Sequence, residues 1–277
     1  MKKSLGQYFL RCPWVVSTML NAAEIKKTDT VLEIGPGAGA LTRTLAQCAE
    51  RVIAVEKDER LAADLAATLR NENIDNVTTI PGDILSNLET LATAHKLQTT
   101  SYKLVSNIPY YLTSRLLRLL IEEGPRPKLI VFTIQKEVAE RIIAQPPQMN
   151  LLALSVQAFG TPRIVKEIPA TCFSPNPKVD SAIIQITNIS PRLFAESGIT
   201  PQQFFAVTRR AFSQKRKLLT NSLAALLPSL PRPGLVKMFA QTHISPMARP
   251  QELSLTQWFS LLLRLNFDSR VFRSRGS

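Results

Sequence analysis

Short apolar runs alternate with helical patterns over the first half of the chain, and this alternation constrains the fold more than any other feature. Helical segments long enough to cross over a sheet separate runs that are rich in β-branched residues. The predicted strands are Thr30–Ile34, Arg51–Val55, Val77–Ile80, Tyr102–Ser106 and Leu129–Ile134. Strands joined by helical crossovers become parallel neighbours. The sequence therefore predicts an α/β fold with a mostly parallel, Rossmann-like sheet and helices on both faces.

The helical patterns lie between and around these strands. They are Pro13–Ala23, Leu41–Ala49, Glu59–Arg70 and Thr113–Glu123. Two later β-rich runs, Arg163–Ile168 and Ser181–Ile189, are predicted to close the sheet and are candidates for an antiparallel hairpin at one edge.

The β pattern ends near Pro191, and helical segments punctuated by proline and glycine follow. These segments are Pro201–Ser213, Lys217–Leu226, Leu235–Gln241 and Leu255–Leu265. We expect a domain boundary near residue 190, with a catalytic domain of residues 1–190 and a small all-helical domain of residues 191–277.

Positive charge is concentrated in the second of these regions. The whole chain carries a net charge of +13, and residues 191–277 hold 13 Lys and Arg against three Asp and Glu. A basic segment beside a nearly neutral body is typical of a module that binds a polyanion such as RNA. The candidate phosphate-binding residues are Arg209, Arg210, Lys215, Arg216 and Lys217.

Several protein classes fit the sequence poorly. No apolar run approaches the ~20 residues that span a bilayer, and the residues after Lys3 lack the apolar stretch of a secretion signal. We expect a cytoplasmic protein without a membrane partner. An organellar presequence is a less favoured alternative, suggested by the absence of acidic residues before Glu24.

The chain has few histidines and cysteines that could bind a metal ion. The chain has two histidines, and Cys12, Cys48 and Cys172 are widely separated in sequence. We interpret the three cysteines as small buried hydrophobic residues, neither metal ligands nor disulfide partners, and we expect no metal site.

A glycine-rich segment follows the first predicted strand and resembles a nucleotide-binding turn. Gly35, Gly37 and Gly39 allow the backbone to approach a ligand closely where a strand turns into a helix. Glu56 ends the next strand, where a carboxylate can accept hydrogen bonds from two ribose hydroxyls. Taken alone, this pattern also fits a dinucleotide-binding protein.

Asp83 follows the third predicted strand in the segment Pro81–Ile84. A carboxylate there can accept a hydrogen bond from an adenine amino group, which favours an adenosine-containing cofactor over a dinucleotide. A Gly-Asp pair after a strand is also an ordinary turn, so the signal is weak by itself.

The most specific signal is Asn107-Ile108-Pro109-Tyr110, which follows the fourth predicted strand. Ligands of open α/β sheets bind beyond the carboxyl ends of the strands. The Asn107 amide oxygen can accept from an exocyclic amine while the ring of Tyr110 stacks on the base. Accepting the amine hydrogens favours a pyramidal, more nucleophilic nitrogen without a general base.

A second aromatic candidate is Phe173, at the start of the proline-containing segment Phe173–Ser181. Two prolines stiffen this loop. We expect Phe173 to stack on the other face of a flipped-out base.

Together these motifs resemble the ribosomal RNA adenine dimethyltransferase family over nearly the whole chain. The matching segments are Lys3–Leu10, Glu33–Gly39, Glu56, Gly82–Asp83, Asn107–Tyr110, Phe173–Ser181 and Phe212–Lys217. The resemblance implies a methyltransferase that uses S-adenosylmethionine to dimethylate two adjacent adenines near the 3′ end of small-subunit rRNA, during assembly of a 30S-type subunit. It acts as a monomer in this interpretation.

The resemblance also implies individual roles. Gly35, Gly37, Glu56, Asp83 and Asn107 would bind S-adenosylmethionine, with Tyr8 and Leu10 at its methionine end. Asn107 and Tyr110 would hold the target amine, and Phe173 would stack on the adenine. Tyr8 stands where the family usually has Asn, which puts the strength of cofactor binding in question.

Three alternatives remain at this stage. One is an adenine methyltransferase of large-subunit rRNA that confers macrolide resistance. Another is a ribosome-assembly or transcription factor on the same scaffold that methylates weakly or not at all. The least favoured is an NAD-dependent oxidoreductase, which would explain the glycine loop but neither Asn107–Tyr110 nor the basic C-terminal region.

Overall fold

A computed structural model describes residues 8–226 and 232–265. The strands are β1 (Phe9–Leu10), β2 (Thr30–Ile34), β3 (Arg51–Glu56), β4 (Val77–Pro81), β5 (Tyr102–Asn107), β6 (Leu129–Gln135), β7 (Thr161–Ile168), β8 (Phe173–Ser174) and β9 (Ser181–Thr187). Part of the N-terminal motif, Lys3–Gln7, lies outside the described residues.

Helices connect these strands and form the C-terminal region. They are α1 (Pro13–Ala23), α2 (Ala40–Cys48), α3 (Glu59–Asn71), α4 (Ile84–Ala94), α5 (Thr113–Arg118), α6 (Lys136–Ile142), α7 (Leu151–Gln157), α8 (Arg192–Ser197), α9 (Pro201–Phe212), α10 (Leu219–Leu226), α11 (Arg232–Gln241) and α12 (Leu255–Arg264). A π-helical turn, Leu119–Glu123, continues α5.

Seven strands form one sheet in the order β4-β3-β2-β5-β6-β9-β7. The pairs from β4 to β6 are parallel, whereas β9 runs antiparallel to both β6 and β7. The predicted mostly parallel sheet is therefore confirmed, with antiparallel strands at one edge. The helical C-terminal region is confirmed as well.

The strand order reverses between β2 and β5, and this switch point prepares a crevice. Ladder pairing between the two strands ends at Leu32 opposite Leu104. Beyond it, the backbone of Ile34 bonds to the side chain of Ser106: the Ile34 amide donates to Oγ at 3.0 Å, and the hydroxyl donates to the Ile34 carbonyl. The two strand ends are thus fixed while the backbone ladder has already opened.

By chain contacts the protein divides into two compact units. The first comprises Met1–Glu140 and Gly160–Ile189, and the second Arg141–Phe159 and Ser190–Ser277. The second unit thus includes residues 141–159, which the sequence does not assign to it. The division into a catalytic domain of residues 1–190 and an RNA-binding domain of residues 191–277 stays a prediction.

Packing of aromatic side chains accounts for the extra segment in the second unit. The ring of Phe159 lies 4.8 Å from that of Phe194, which in turn lies 5.6 Å from Phe204. The backbone amide of Met149 also donates to the carbonyl of Gln251 at 3.0 Å. The segment after α6 therefore shares the apolar core of the helical unit.

The interpretation of the cysteines is wrong for two of the three. Cys12 and Cys172 form a disulfide across 160 residues of sequence, with their Cα atoms 5.1 Å apart. Antiparallel pairing of β1 with β8 brings them together, with Leu10 opposite Phe173. Cys48 is free and half-buried.

Candidate functional site

One pocket lies at the carboxyl ends of β2, β3, β4 and β5, where the strand order reverses. It is a crevice that opens to solvent, and the space within it, solvent included, is about 1030 Å³. The lining includes most of the residues selected from the sequence: Tyr8, Leu10, Gly35, Gly37, Glu56, Asp83, Asn107 and Tyr110.

The glycine-rich turn forms one wall of the pocket, and its backbone conformation requires glycine. Gly37 has a φ of +56°, and a Cβ there would lie 2.9 Å from the ring of Phe9. Its amide donates to Oε2 of Glu56 at 3.1 Å, and the amide of Asp58 donates to Oε1 at 3.0 Å. Glu56 is buried with its carboxylate held toward the turn, where its remaining lone pairs can accept from ligand hydroxyls.

Asp83 follows β4 at the N-terminus of α4. One carboxylate oxygen accepts from the Leu85 amide at 3.0 Å, and the other accepts from the ammonium of Lys57 at 2.8 Å. The hydrogen bond from Lys57 lowers the pKa of Asp83, so the carboxylate stays ionised. An ionised acceptor at this position fits the predicted role toward an adenine amino group.

Asn107 ends β5, and both ends of its amide have partners. Its Nδ2 donates to the carbonyl of Tyr8 at 2.9 Å, and the Thr133 hydroxyl donates to its Oδ1. Thr133 is buried on β6 directly opposite Asn107, a partner that the sequence analysis missed. The carbonyl-type oxygen has two lone pairs, so one remains for an incoming donor.

The ring of Tyr110 is held from two sides. Its hydroxyl lies 2.6 Å from Oγ of Ser181, and its ring centroid lies 5.2 Å from that of Tyr8, with the planes inclined by 32°. Burial raises the pKa of Tyr110, so the phenol stays neutral at physiological pH. Ser181 is a second partner that the sequence analysis missed.

Phe173 does not line this pocket, and its stacking role stays a prediction. Its ring has no exposed surface and packs in the core around α1, with Val15, Met19 and Ile183. Pairing of β8 with β1 turns the side chain inward. A base needs an exposed ring face on which to stack, and Phe173 offers none here.

Glu33 is a pocket residue to which the sequence analysis assigned no role. It is 1% exposed, and within the described part of the chain its Oε2 has no hydrogen-bond partner. Burial raises the pKa of Glu33 to about 8; the Thr42 hydroxyl opposes this rise, and the nearby Glu56 carboxylate adds to it. An unpartnered buried acid in a ligand pocket is a site for a cationic group such as an ammonium or sulfonium.

The five candidate phosphate-binding residues lie close together in the chain of the second unit. Arg209 and Arg210 occupy the last turn of α9, and the turn between α9 and α10 holds Lys215, Arg216 and Lys217. All five side chains are exposed, and over the described residues none of them forms an ion pair with an acid. Their charge is therefore available to an external anion.

Within residues 8–226 and 232–265, no group of three or more His, Cys, Asp and Glu side chains is arranged to hold a metal ion. Within the same residues, no helix has both the length and the apolar character required to cross a membrane.

Comparison with known proteins identifies relatives along nearly the whole chain. A family model described as ribosomal RNA adenine dimethylase matches residues 1–266. A ribosomal RNA small subunit methyltransferase A from Dehalococcoides mccartyi is 40% identical over 264 residues, which is 95% of this chain and 87% of the relative. A protein of the same name from Rippkaea orientalis is 37% identical and is matched over 97% of its length.

Solved structures agree with this result. A dimethyladenosine transferase from Plasmodium falciparum superimposes with a TM-score of 0.78 at 27% identity, over 93% of this chain and 97% of that one. A 23S rRNA methyltransferase superimposes with a TM-score of 0.74 at 24% identity, which demonstrates a shared fold and nothing about substrate.

Proposed function

Because the chain belongs to the ribosomal RNA adenine dimethylase family, we propose that it transfers methyl groups from S-adenosylmethionine to two adjacent adenines near the 3′ end of small-subunit rRNA. The product at each position is N6,N6-dimethyladenosine. One observation carries the proposal: the Asn107–Tyr110 segment lines the same pocket as the glycine turn and Glu56. A side chain that can accept hydrogen bonds from an amine and one that can accept them from ribose hydroxyls thus line the same cavity.

The pocket residues fit S-adenosylmethionine part by part. Glu56 would accept from the ribose hydroxyls, and Asp83 would accept from the adenine amino group. Oε2 of Glu33 has no hydrogen-bond partner among the described residues, and a positive charge of the cofactor would stabilise the ionised form of this carboxyl group. The bound cofactor supplies an activated methyl group. Contacts of Tyr8 and Leu10 with its methionine end are part of the proposal.

The protein side of the reaction is positioning and hydrogen bonding. The free lone pair of Asn107 Oδ1 accepts a hydrogen from the exocyclic amine and orients the nitrogen toward the methyl group. Accepting that hydrogen opposes delocalisation of the nitrogen lone pair into the ring, so the nitrogen becomes a better nucleophile. The Tyr110 ring stacks on the base, and its neutral phenol avoids placing a charge beside it.

The relatives whose names refer to the small subunit favour a small-subunit substrate. Chains named small subunit methyltransferase A are 37–40% identical over 94% or more of this chain. The 23S rRNA methyltransferase supports the fold alone at 24% identity. The NAD-dependent oxidoreductase is not favoured, since the family model covers the chain and the dinucleotide interpretation leaves Asn107–Tyr110 without a role.

Binding of rRNA would use the basic residues of the second unit. Exposed Arg and Lys without acidic partners bind phosphate through counterion release. We further propose that the protein acts as a monomer on assembling 30S-type subunits, and that it works in the cytoplasm.

Methyl transfer to isolated ribosomal subunits tests the proposed function. The protein would be incubated with S-adenosylmethionine labelled in its methyl group and with small or large subunits that lack the modification. We expect label in the small-subunit RNA alone. Label confined to large-subunit RNA would establish the macrolide-resistance type of activity, and no label on either would favour an assembly factor.

A further inference from the structure

Tyr8 contacts both residues to which we assign the target amine. Its ring packs against the ring of Tyr110 with centroids 5.2 Å apart, and its carbonyl accepts from Nδ2 of Asn107 at 2.9 Å. The residue lies just before β1, whose pairing with β8 fixes the segment. One residue of the N-terminal segment therefore touches the stacking ring with its side chain and the accepting amide with its main chain.

The backbone contact sets the orientation of the Asn107 amide. With the Tyr8 carbonyl accepting from Nδ2 and the Thr133 hydroxyl donating to the other end, the amide oxygen and nitrogen cannot exchange places without losing both hydrogen bonds. Nδ2, which can only donate, therefore faces the Tyr8 carbonyl. Oδ1 is the atom with a free lone pair.

The ring contact fixes which face of Tyr110 a base can use. A base inserted between two rings needs centroids ~7 Å apart, which is two van der Waals gaps. The observed separation of 5.2 Å leaves no such space, so a base can stack only on the face of Tyr110 that Tyr8 does not cover. Ser181 holds the hydroxyl end, so the ring is restrained in both tilt and direction.

We propose that Tyr8 is a positioning residue, which backs the Tyr110 ring so that its opposite face is preformed for the target base. This inference rests on the proposed function and assigns Tyr8 a role toward the RNA in addition to the cofactor. A ring fixed before binding loses less conformational entropy when the base arrives.

Steady-state kinetics with Tyr8→Leu and Tyr8→Phe test the role. An aromatic pair contributes about 0.5–1.5 kcal/mol beyond burial, so Tyr8→Leu should raise the KM for small subunits about 2- to 10-fold. The kcat should fall less, and Tyr8→Phe should rescue the KM because it restores the ring. Affinity for S-adenosylmethionine, measured by calorimetry, separates this effect from cofactor binding. An unchanged KM in Tyr8→Leu, or a KM change that Tyr8→Phe does not rescue, would overturn the inference.

A double-mutant cycle in the ligand-free protein tests the contact itself. Unfolding by denaturant would be compared for Tyr8→Leu, Tyr110→Leu and the double variant, and we expect the two substitutions to be non-additive. Phe9→Leu is the matched control, because the Phe9 ring packs over Gly37 instead and should add independently to Tyr110→Leu. Additive effects of Tyr8 and Tyr110 would overturn the inference. A wild-type chain without methyl transfer would overturn the proposed function, and this role with it.

Discussion

The Asn107 side chain is held in one orientation by hydrogen bonds at both ends of its amide. Its amide is held by the Thr133 hydroxyl at one end and the Tyr8 carbonyl at the other. One lone pair of Oδ1 is not used by either of these hydrogen bonds. The amine-accepting geometry is therefore set before substrate arrives, which is the condition under which a polar group lowers a reaction barrier most.

We predict that Asn107→Ala lowers kcat for methyl transfer about 10²- to 10³-fold, since a preorganised polar group is typically worth that much. Tyr110→Ala should instead weaken RNA binding, by roughly 1–3 kcal/mol for a lost stack. Single-turnover assays at saturating cofactor distinguish the two effects. Wild-type turnover by Asn107→Ala would contradict the assigned activation of the amine.

Glu33 gives the cofactor site a predicted pH dependence. Below pH 8 the ligand-free site holds a neutral Glu33, because its pKa is about 8. A bound cation favours the carboxylate, so binding at lower pH must first remove a proton. Affinity for S-adenosylmethionine should therefore rise with pH up to about 8, by at most ~tenfold per unit, and then level off.

Calorimetry between pH 6.5 and 8.5 measures this dependence. The Glu33→Gln variant is the control, because it keeps the shape of the side chain and any titration of the ligand's own amine while removing the carboxylate. The difference between the two pH profiles belongs to Glu33. Identical profiles would mean that Glu33 does not interact with the cofactor's charge.

Sequence patterns locate strand-end residues well and their partners poorly. Glu56 and Asn107 end their strands and Asp83 follows one, and parallel strands bring such positions to one edge of the sheet. Thr133 and Ser181 lie inside or at the start of β-rich runs, where a hydroxyl has no local signal. Their importance depends on which strands become neighbours, and that is decided by tertiary packing.

At the scale of elements, the two-residue strands β1 and β8 account for the features that the sequence did not predict. Their pairing joins segments 160 residues apart, closes the Cys12–Cys172 disulfide and turns Phe173 into the core. A strand of two residues has no periodicity from which to predict it. The longer strands, with runs of five to eight residues, were predicted with boundaries within two residues of those observed.

We predict that Phe173 acts through stability. Phe173→Ala should lower the free energy of unfolding by about 3–5 kcal/mol, because it leaves a cavity in a packed core. Phe173→Leu keeps most of the volume and should cost less than about 1.5 kcal/mol. Denaturant unfolding measures both changes, and the KM of Phe173→Leu for small subunits should stay at the wild-type value. A raised KM in a stable Phe173→Leu variant would support the stacking role.

For the whole molecule, the exposed cluster of basic residues and the pocket belong to different units of the chain. The pocket belongs to the first unit, and the exposed cluster of Arg209, Arg210 and residues 215–217 belongs to the second. Composition alone predicts this asymmetry, since 13 of the 34 Lys and Arg lie in residues 191–277 with only three acids. The membership of residues 141–159 in the second unit was not predictable from composition, because it depends on aromatic packing around Phe194.

Replacing Lys215, Arg216 and Lys217 with Ala should flatten the salt dependence of RNA binding. Each phosphate contact contributes about 0.7–0.9 to the slope of log affinity against log salt, so loss of three contacts lowers it by roughly two to three. The matched control replaces Lys26, Lys27 and Lys96, which are exposed and precede the amino ends of β2 and β5, opposite the pocket edge. Equal slopes for the two triple variants would contradict a phosphate-binding role for the cluster, and cofactor affinity should be unchanged in both.

Nucleoside analysis of the RNA after reaction identifies which base is methylated and how many methyl groups it carries. Unmodified small subunits would be incubated with the protein and S-adenosylmethionine, and a fragment from the 3′ end of the rRNA would be digested and separated by chromatography with mass detection. We predict N6,N6-dimethyladenosine at two adjacent positions of this fragment with wild-type protein, and unmodified adenosine with Asn107→Ala. Unmodified adenosine from the wild-type reaction, or methyl groups on any base other than adenine, would contradict the account.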